Sequence, residues 1–362
     1  MLDIPQVQST TLPRSVLPYH FCTYFDRNYL TRGLALYESL VHNCQRPFIL
    51  WVLCFDDETY TILTRLNLPE VRLISQQEFE AGDEKLLHVK SERSRVEYYW
   101  TCTSSLLLYI LRQAPEVEVI AYLDADLYFF GDPQPIYDEF GNGSILIIEH
   151  RYAPEHAYYA ATSGIYNVGF MAFRRDKNGL TCLDWWRERC LEWCYDRFED
   201  GKFGDQKYLD DWPQCFPGVV VLHYSGAGLA PWNLTNNKLA FLRQGIQVSG
   251  KPLVFFHFHG FKFVSTNLVE PLSQQYALST GQAAAVFLPY AHALVRAADL
   301  VQQSHRDGFI PSLSRHELLY GVFCNCYLIV RPAWLSLVLW QFSIGYRANK
   351  ARIAAGFATY EN

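Results

Sequence analysis

The chain has 362 residues, of which 50% are hydrophobic and 19% are charged. This balance is typical of a globular protein with one large domain or two smaller ones. The net charge of −6 comes without a long basic run, which argues against a nucleic-acid partner. Ten cysteines without paired metal-finger spacing indicate reduced, buried thiols, and no apolar signal-peptide core is visible, so we expect a cytoplasmic protein.

Apolar segments of strand length alternate with segments of helical periodicity between Tyr19 and about residue 268. Residues 1–17 before them are polar and predict a loose leader. The alternation predicts an α/β domain over 18–268, with a mixed, mainly parallel sheet flanked by helices. Besides the strand that ends at Asp124, the predicted strands lie at about 19–25, 47–55, 70–75, 144–150, 167–175, 218–224 and 252–263. The predicted helices lie at about 29–43, 56–66, 94–114 and 180–198.

The pattern becomes helical beyond residue 268, and we predict a C-terminal helical extension over 269–362 that begins with a helix at 285–303. Residues 322–342 are apolar for about the length of a membrane span. Four residues that a spanning helix tolerates poorly interrupt this stretch: Asn325, Arg331, Pro332 and Gln341. A packed helical pair is therefore expected, and two further hypotheses are peripheral contact with the inner membrane face and a homodimer interface.

The segment VIAYLDADLYFFGDP (119–133) ends an apolar strand in two carboxylates, Asp124 and Asp126. Without a cation two such charges repel each other, so one carboxyl tends to stay protonated. A divalent cation removes that conflict, and oxygen ligands suit Mg²⁺ or Mn²⁺. Because ligands bind at the carboxyl ends of strands in doubly wound sheets, the pair predicts a metal–phosphate site. A phosphatase with Asp124 as nucleophile and a turn of capping aspartates stay open.

Further motifs follow the two aspartates along the chain. Asn167 precedes Gly169 by two residues, Asp205 and Gln206 stand before a helix-like run, and HFHGFK ends the predicted domain at about 257–262. In this order the motifs resemble those of GT-A-fold, nucleotide-sugar-dependent glycosyltransferases. The resemblance is to family 8, the glycogenin and lipopolysaccharide galactosyltransferase group, in a less studied bacterial branch. It covers about residues 19–265 and departs from the family pattern at Lys262, which stands one residue early.

The resemblance implies a GT-A (Rossmann-like) fold and a Mn²⁺ or Mg²⁺ ion held by Asp124, Asp126 and a histidine, either His257 or His259. It implies a nucleoside diphosphate donor, UDP-hexose in particular, and retention of anomeric configuration. A second set of residues would contact the nucleotide and its phosphates: Thr23, Tyr24, Asp26, Arg95, Asp124, Gly260 and Lys262. Each of these also has an ordinary structural interpretation, such as a core tyrosine for Tyr24 or a surface ion pair for Arg95.

The resemblance places Asn167, Asp205 and Gln206 near the transferred sugar. A carboxylate there can hydrogen-bond donor hydroxyls or act as a base, although Asp205 could instead cap a helix. Trp232 and Asn233, in a glycine-rich loop, are predicted acceptor contacts. The expected function is a metal-dependent glycosyltransferase of bacterial surface glycan or lipopolysaccharide synthesis, with a glycan, lipid-linked or protein acceptor. The alternatives are a haloacid-dehalogenase-like phosphatase and a non-catalytic protein that binds sugar nucleotides or glycans.

Overall fold

The computed structural model describes residues 17–243, 245–265, 268–270, 280–304 and 328–329. Residues 1–16 of the predicted leader lie outside these ranges, as does the chain beyond 304 apart from 328–329. The hypotheses of membrane contact and of a homodimer interface concern that outlying part. Among the helices in the described ranges, none has the length and hydropathy needed to cross a bilayer.

Strands and helices alternate along the described chain, as the sequence predicts. The strands are, in chain order, β1 (Tyr19–Phe25), β2 (Phe48–Cys54), β3 (Val71–Ser75), β4 (Val119–Leu123), β5 (Leu127–Phe129), β6 (Ile145–Glu149), β7 (Tyr166–Arg174), β8 (Val219–Val221), β9 (Leu239–Leu242), β10 (Gly245–Val248), β11 (Lys251–Pro252), β12 (Phe255–His257), β13 (Lys262–Ser265), β14 (Leu268–Glu270) and β15 (Leu328–Ile329). The α-helices are α1 (Leu30–Asn43), α2 (Asp57–Leu66), α3 (Gln76–Glu80), α4 (Glu84–Lys90), α5 (Arg95–Gln113), α6 (Gln134–Phe140), α7 (Tyr159–Ser163), α8 (Lys177–Glu192), α9 (Trp212–Cys215) and α10 (Thr280–Ser304).

The central sheet has the strand order β3-β2-β1-β4-β7-β6-β8. Strand β7 is antiparallel to its neighbours β4 and β6, and the other adjacent pairs are parallel. The predicted mixed, mainly parallel sheet is therefore confirmed. Because β7 runs against β4, the carboxyl ends of β1, β4 and β6 meet the amino end of β7 at one edge of the sheet.

Helices cover both faces of this sheet, as predicted. Successive strand residues point to opposite faces, and β1 illustrates the result. Phe21 is buried in a cluster with Leu34 of α1, whereas Cys22 is buried in a second cluster with Leu106 of α5. Cys22 is one of six buried thiols among the eight described cysteines, all of which are free. The alternation of the strand thus divides the core into two layers.

Helix α5 begins where its sequence provides a capping box. The Ser94 side chain accepts a hydrogen bond from the Glu97 amide, and the Glu97 carboxylate accepts one from the Ser94 amide. These two bonds satisfy backbone donors that a helix start leaves free. They also fix Arg95, the first residue of α5, at the edge of the sheet where the strand ends meet.

The predicted strand at 252–263 is wrong, because the structure divides it into β11, β12 and β13. Strand β12 pairs with β5 outside the central sheet, and the chain turns immediately after it. Gly260 in this turn has a φ of 76°, in the left-handed region that glycine adopts without a steric penalty. The predicted helix at 180–198 also differs from α8, which begins at Lys177 after its N-cap Asp176 and ends at Glu192.

Helix α10 belongs to the predicted C-terminal region, yet it packs directly onto the sheet domain. Its Phe287, Tyr290 and Leu294 are buried in one cluster with Phe256 of β12 and Phe258. The rings of Phe258 and Tyr290 are stacked, with centroids 3.9 Å apart and planes 17° from parallel. This packing supports the loop that follows β12, which carries a histidine of the site described below.

Truncating Tyr290 is expected to destabilise the whole domain. Tyr290→Ala removes a fully buried ring and should lower the free energy of unfolding by about 3–5 kcal/mol. Tyr290→Phe keeps the stacked ring and serves as the matched control, with an expected change below about 1.5 kcal/mol. Urea denaturation followed by circular dichroism measures both variants. Equal stability of Tyr290→Ala and the unchanged protein would contradict the packing of α10 into the core.

Candidate active site

A cavity of about 760 Å³ opens at the edge where the strand ends meet. Its volume lies in the range of small-molecule and cofactor sites. Its wall includes the end of β1 with the start of α5, the residues after β4 together with β12, the residues after β6 with the start of β7, and residues of the segment 196–206. Several predicted site residues face this cavity: Tyr24, Asp26, Arg95, Asp124, Asp126, Asn167, Asp205, Gln206, Trp232, His257 and His259.

Two carboxylates and one imidazole converge at the centre of the cavity. The His257 Nε2 atom lies 3.1 Å from Asp126 Oδ1 and 3.5 Å from Asp124 Oδ2. One ligand atom from each of the three side chains lies within 4.8 Å of the others. Backbone bonds hold the group in place, since the Asp124 amide donates to the Gly169 carbonyl and the Phe258 amide donates to the Asp126 carbonyl, both at 2.9 Å.

The charges of these three groups depend on one another. Burial and the neighbouring Asp126 raise the pKa of the Asp124 carboxyl. Although burial opposes it, the His257 imidazolium lowers the pKa of Asp126 to about 2. In turn the two carboxylates raise the pKa of His257 against the effect of its burial. A proton on His257 thus balances part of the negative charge, in the manner that a cation would.

The donor set of Asp124, Asp126 and His257 fits a divalent cation. Carboxylate oxygens are the ligands of Mg²⁺ and Mn²⁺, and a neutral imidazole is a common additional ligand. Gly169 keeps the space beside His257 open, because a Cβ at that position would lie 2.7 Å from His257 Nδ1 and 2.6 Å from Asn167 Oδ1. Cation binding would require His257 to lose its proton.

The two histidines of the HFHGFK segment differ in local structure, because strand β12 ends between them. His257 is the last residue of β12, whereas His259 lies in the following turn and is exposed to solvent. Their rings are perpendicular, with centroids 6.0 Å apart. In the described ranges, only His257 groups with the two carboxylates. His259 lines the cavity without belonging to this cluster.

The end of β1 and the start of α5 form one side of the cavity. Asp26 is buried there and accepts a hydrogen bond from the Tyr99 hydroxyl at 3.2 Å, and Arg95 Nη1 lies 3.4 Å from its carboxylate. The Tyr99 ring stacks on Phe55 at 4.0 Å. Sequence reasoning missed Tyr99, although its spacing of four residues from Arg95 places both on one helix face.

Two residues predicted to bind the nucleotide or its phosphates, Thr23 and Gly260, are not among the residues that line the cavity. Thr23 is fully buried inside the sheet, because its neighbour Tyr24 is the one that faces the opening, so the prediction for Thr23 is not supported. Gly260 forms the turn after His259. Lys262 begins β13, and its side chain lies outside the described part of the structure.

Asp205 is a buried carboxyl in the wall of the cavity, beside helix α5. It is 5% exposed, and burial together with the charge of Asp124 raises its pKa to about 7. The Thr103 hydroxyl donates to Asp205 Oδ2 at 3.1 Å, and the Trp186 indole donates to its backbone carbonyl at 2.8 Å. The alternative helix-cap role is wrong, since the N-cap of the following 3-10 helix is Gln206.

Buried hydroxyl groups lie between Asp205 and Asp124. The Tyr122 hydroxyl donates to Asp124 Oδ1 at 2.8 Å, and the Tyr24 hydroxyl lies 3.1 Å from Thr103 Oγ1. The Tyr24 and Tyr122 rings contact each other, with centroids 5.4 Å apart. Tyr24 is therefore both a core residue and a lining residue, and it helps to fix the distance between the two acidic groups.

Asn167 and Gln206 are held by hydrogen bonds beside Asp205. Asn167 Oδ1 accepts from the Gly169 amide at 2.8 Å, and its Nδ2 lies 3.3 Å from His150 Nε2. Gln206 Nε2 donates to the Ser163 carbonyl at 2.6 Å. These contacts explain the spacing of Asn167 and Gly169, because the amide oxygen must reach a backbone N–H two residues later.

Of the two predicted acceptor contacts, the structure brings only Trp232 into the cavity. Asn233 is buried, and its Nδ2 donates to the carbonyls of His150 and Gly228, both at 2.8 Å. Its Oδ1 accepts from the Ala230 amide at 2.9 Å. Because these bonds occupy its side chain, Asn233 holds the loop and does not face a ligand. Sequence reasoning missed His150, Tyr152 and Tyr159, which line the cavity after β6.

Comparison with known proteins found no matching model of a protein family. It did find chains that are similar in structure or in sequence. Among solved structures, the galactosyltransferase LgtC in complex with donor and acceptor sugar analogs is 15% identical, with a TM-score of 0.47 over 78% of this chain and 95% of that chain.

Two proteins of Bacillus subtilis (strain 168) are more similar in sequence. The chain is 33% identical to the uncharacterized protein YfnF over 261 residues, which are 70% of this chain and 85% of YfnF. It is 30% identical to the uncharacterized protein YfnD over 298 residues, which are 81% of this chain and 95% of YfnD. The similarity extends over most of both chains in each pair, and this protein therefore belongs to the family of YfnF and YfnD.

Proposed function

We propose that the protein is a metal-dependent glycosyltransferase that moves a sugar from a nucleoside diphosphate, UDP-hexose in particular, to an acceptor hydroxyl. The observation that carries this proposal is the convergence of Asp124, Asp126 and His257 at the centre of a cavity large enough for a sugar nucleotide. The order of the sequence motifs, from the two aspartates to the HFHGFK segment, supports the same function.

The two aspartates and His257 would hold a Mn²⁺ or Mg²⁺ ion. When bound, such an ion neutralises negative charge on a diphosphate leaving group. The side of the cavity at the end of β1 would take the nucleotide, with Tyr24 and Tyr99 as aromatic surfaces. Asp26 would accept hydrogen bonds from ribose hydroxyls, and Arg95 supplies a positive charge beside it.

Asp205 and Asn167 would contact the transferred sugar. Without a cation, burial and the charge of Asp124 raise the pKa of Asp205 to about 7. A cation held by Asp124 would lower that pKa, so that the ionised carboxylate would accept a hydrogen bond from a sugar hydroxyl. Retention of anomeric configuration is proposed on the family resemblance. The proposed setting is bacterial surface glycan or lipopolysaccharide synthesis, in the cytoplasm or at the inner membrane face.

Thermal stability in the presence of nucleotides tests the proposal. UDP with Mn²⁺ is expected to raise the melting temperature by about 5 °C at a hundredfold excess over its dissociation constant, because a ligand of the folded state stabilises that state. UDP with EDTA should give a much smaller shift. Matched titrations with ADP, GDP and CDP identify the base.

The alternative functions predict other results in the same preparation. A phosphatase would release phosphate from simple monoesters without any sugar nucleotide. A non-catalytic binding protein would bind UDP-sugars and neither hydrolyse nor transfer them. If no nucleoside diphosphate raised the melting temperature with or without Mn²⁺, the proposed donor class would be wrong.

A further inference from the structure

Thr103 makes side-chain hydrogen bonds to two distant parts of the chain. It lies on α5, is fully buried, and bonds Asp205 Oδ2 and the Tyr24 hydroxyl, both at 3.1 Å. These partners are 102 and 79 residues away in sequence. A helical threonine can instead bond the carbonyl four residues earlier, as Thr101 of the same helix does with Glu97 at 2.8 Å. Thr103 therefore joins three separate parts of the fold.

The donors and acceptors of these bonds are fixed when Asp205 is ionised. A carboxylate only accepts hydrogen bonds, so the Thr103 hydroxyl must donate its single proton to Asp205. The Thr103 oxygen then remains as an acceptor, and the Tyr24 hydroxyl donates to it. Thr103 thus presents a donor of fixed direction to one oxygen of Asp205, because Tyr24 holds the threonine hydroxyl in turn.

Two helices hold Asp205 at different atoms. The Trp186 indole of α8 donates to the Asp205 backbone carbonyl at 2.8 Å, whereas Thr103 of α5 donates to the side chain. The bond to the backbone determines where the residue lies. The bond to the side chain determines how the carboxylate is rotated, and therefore how its oxygens are directed relative to the cavity that Asp205 lines.

The surroundings of Thr103 would accommodate an apolar side chain of the same shape. Leu106 and Leu107, three and four residues later on the same face of α5, are fully buried in one hydrophobic cluster. A valine would fill the position of Thr103 without the cost of burying a hydroxyl group. Because packing does not require this hydroxyl, its bonds to Asp205 and Tyr24 are the property that a valine would lack.

We propose that Thr103 is a positioning residue, whose hydroxyl orients the Asp205 carboxylate toward the hexose of the bound sugar nucleotide. This inference rests on the proposed function and adds to it a residue that acts only through another. Thr103 is not among the residues that line the cavity, whereas Asp205 and Tyr24 are. Through these two partners, one threonine connects the proposed sugar side of the cavity with the proposed nucleotide side.

The sugar-dependent part of donor binding tests this role. Isothermal titration calorimetry in Mn²⁺ gives the dissociation constants of UDP-glucose, UDP-galactose and UDP, and the ratio of a UDP-hexose constant to the UDP constant isolates the sugar. Thr103→Val is expected to raise this ratio about tenfold, the scale of one hydrogen bond to a charged group, and to leave UDP binding within about twofold. Thr103→Ser keeps the donor and should restore the ratio.

Two further variants serve as a second test and as a control. Tyr24→Phe keeps the ring and removes only the hydroxyl that supports Thr103, so it should raise the ratio by about threefold. Thr59→Val makes the same chemical change at a fully buried threonine of α2, whose hydroxyl has no hydrogen-bond partner among the described residues. It should leave the ratio unchanged.

A double substitution shows whether Thr103 acts through Asp205. In an Asp205→Ala background, Thr103→Val should not change the ratio further, because the bond between the two side chains is already lost. A further tenfold rise in that background would overturn the proposal. Equal weakening of UDP and UDP-hexose binding in Thr103→Val would also overturn it, since a merely structural role gives that result.

The outcomes separate the role of Thr103 from the proposed function. If the unchanged protein binds UDP and UDP-hexose, and the ratio is the same in Thr103→Val and Thr59→Val, the positioning role is overturned and the proposed function stands. If the unchanged protein binds neither UDP nor a UDP-hexose in Mn²⁺, the proposed donor is contradicted, and the role of Thr103 toward its hexose is overturned with it.

Discussion

Asp126→Asn is expected to reduce sugar transfer by about a hundredfold to a thousandfold, a loss typical of removing a group that stabilises charge on a leaving group. Asp126 Oδ1 makes the shorter of the two contacts to His257, at 3.1 Å, and this carboxylate has the lowered pKa. An amide in its place keeps the shape and removes the charge that a divalent cation needs. The stabilisation by UDP with Mn²⁺ should disappear in the same variant.

Substitutions of Asp124 and Asp126 are expected to change the stability of the cation-free protein in different ways. Asp126→Asn leaves the His257 imidazolium without its nearer anion and should lower the stability of the protein. Asp124→Asn removes a carboxylate that burial and Asp126 disfavour, and should leave stability unchanged or raise it. Urea denaturation in EDTA measures both, with Asp184→Asn as control because Asp184 forms an exposed ion pair with Arg112. Full metal-dependent transfer by Asp126→Asn would exclude it as a ligand.

The two aspartates could be predicted from the sequence because the information is local. An apolar strand that ends in Asp-Ala-Asp places both carboxylates at the carboxyl edge of any parallel sheet. The histidine could not be chosen in the same way. Its identity depends on where β12 ends, and β12 ends at His257 because its residues pair with β5. That pairing joins segments more than a hundred residues apart.

Sequence periodicity predicted the sheet and its main helices. It failed where tertiary contacts determine where a strand ends or which side chain reaches the cavity. The apolar run at 252–263 has the composition of a strand, yet the position of β5 and the turn at Gly260 divide it. Thr23 and Tyr24 are neighbours with similar predicted roles, but they point to opposite faces of β1, and only Tyr24, on the face of α5, lines the cavity. His150, Tyr152 and Tyr159 reach the cavity through the path of the loop after β6, which no local pattern specifies.

Asp205→Asn is expected to stabilise the protein at high pH while it reduces transfer. The pKa of Asp205 is raised to about 7 in the folded protein, against an ordinary value near 4 in the unfolded chain. The folded state therefore holds a proton that the unfolded state has lost, and stability falls as pH rises between these values. Above pH 7 the ionisation of this buried carboxyl lowers the free energy of unfolding by about 4 kcal/mol. An asparagine cannot ionise, and its Oδ1 can still accept the hydrogen bond from Thr103.

The stability difference between Asp205→Asn and the unchanged protein should depend on pH, and this dependence distinguishes the ionisation of Asp205 from a general effect on packing. The stability of Asp205→Asn relative to the unchanged protein should grow by about 2–3 kcal/mol between pH 5 and pH 8. Urea denaturation in EDTA measures it, because a cation bound beside Asp124 would lower the pKa of Asp205. Asp211→Asn, at an exposed position nearby, should show no such growth. A difference that is constant with pH would mean that Asp205 is ionised in the folded protein. A carboxyl that destabilises its own fold, and whose removal costs activity, is best explained by a ligand that it must contact.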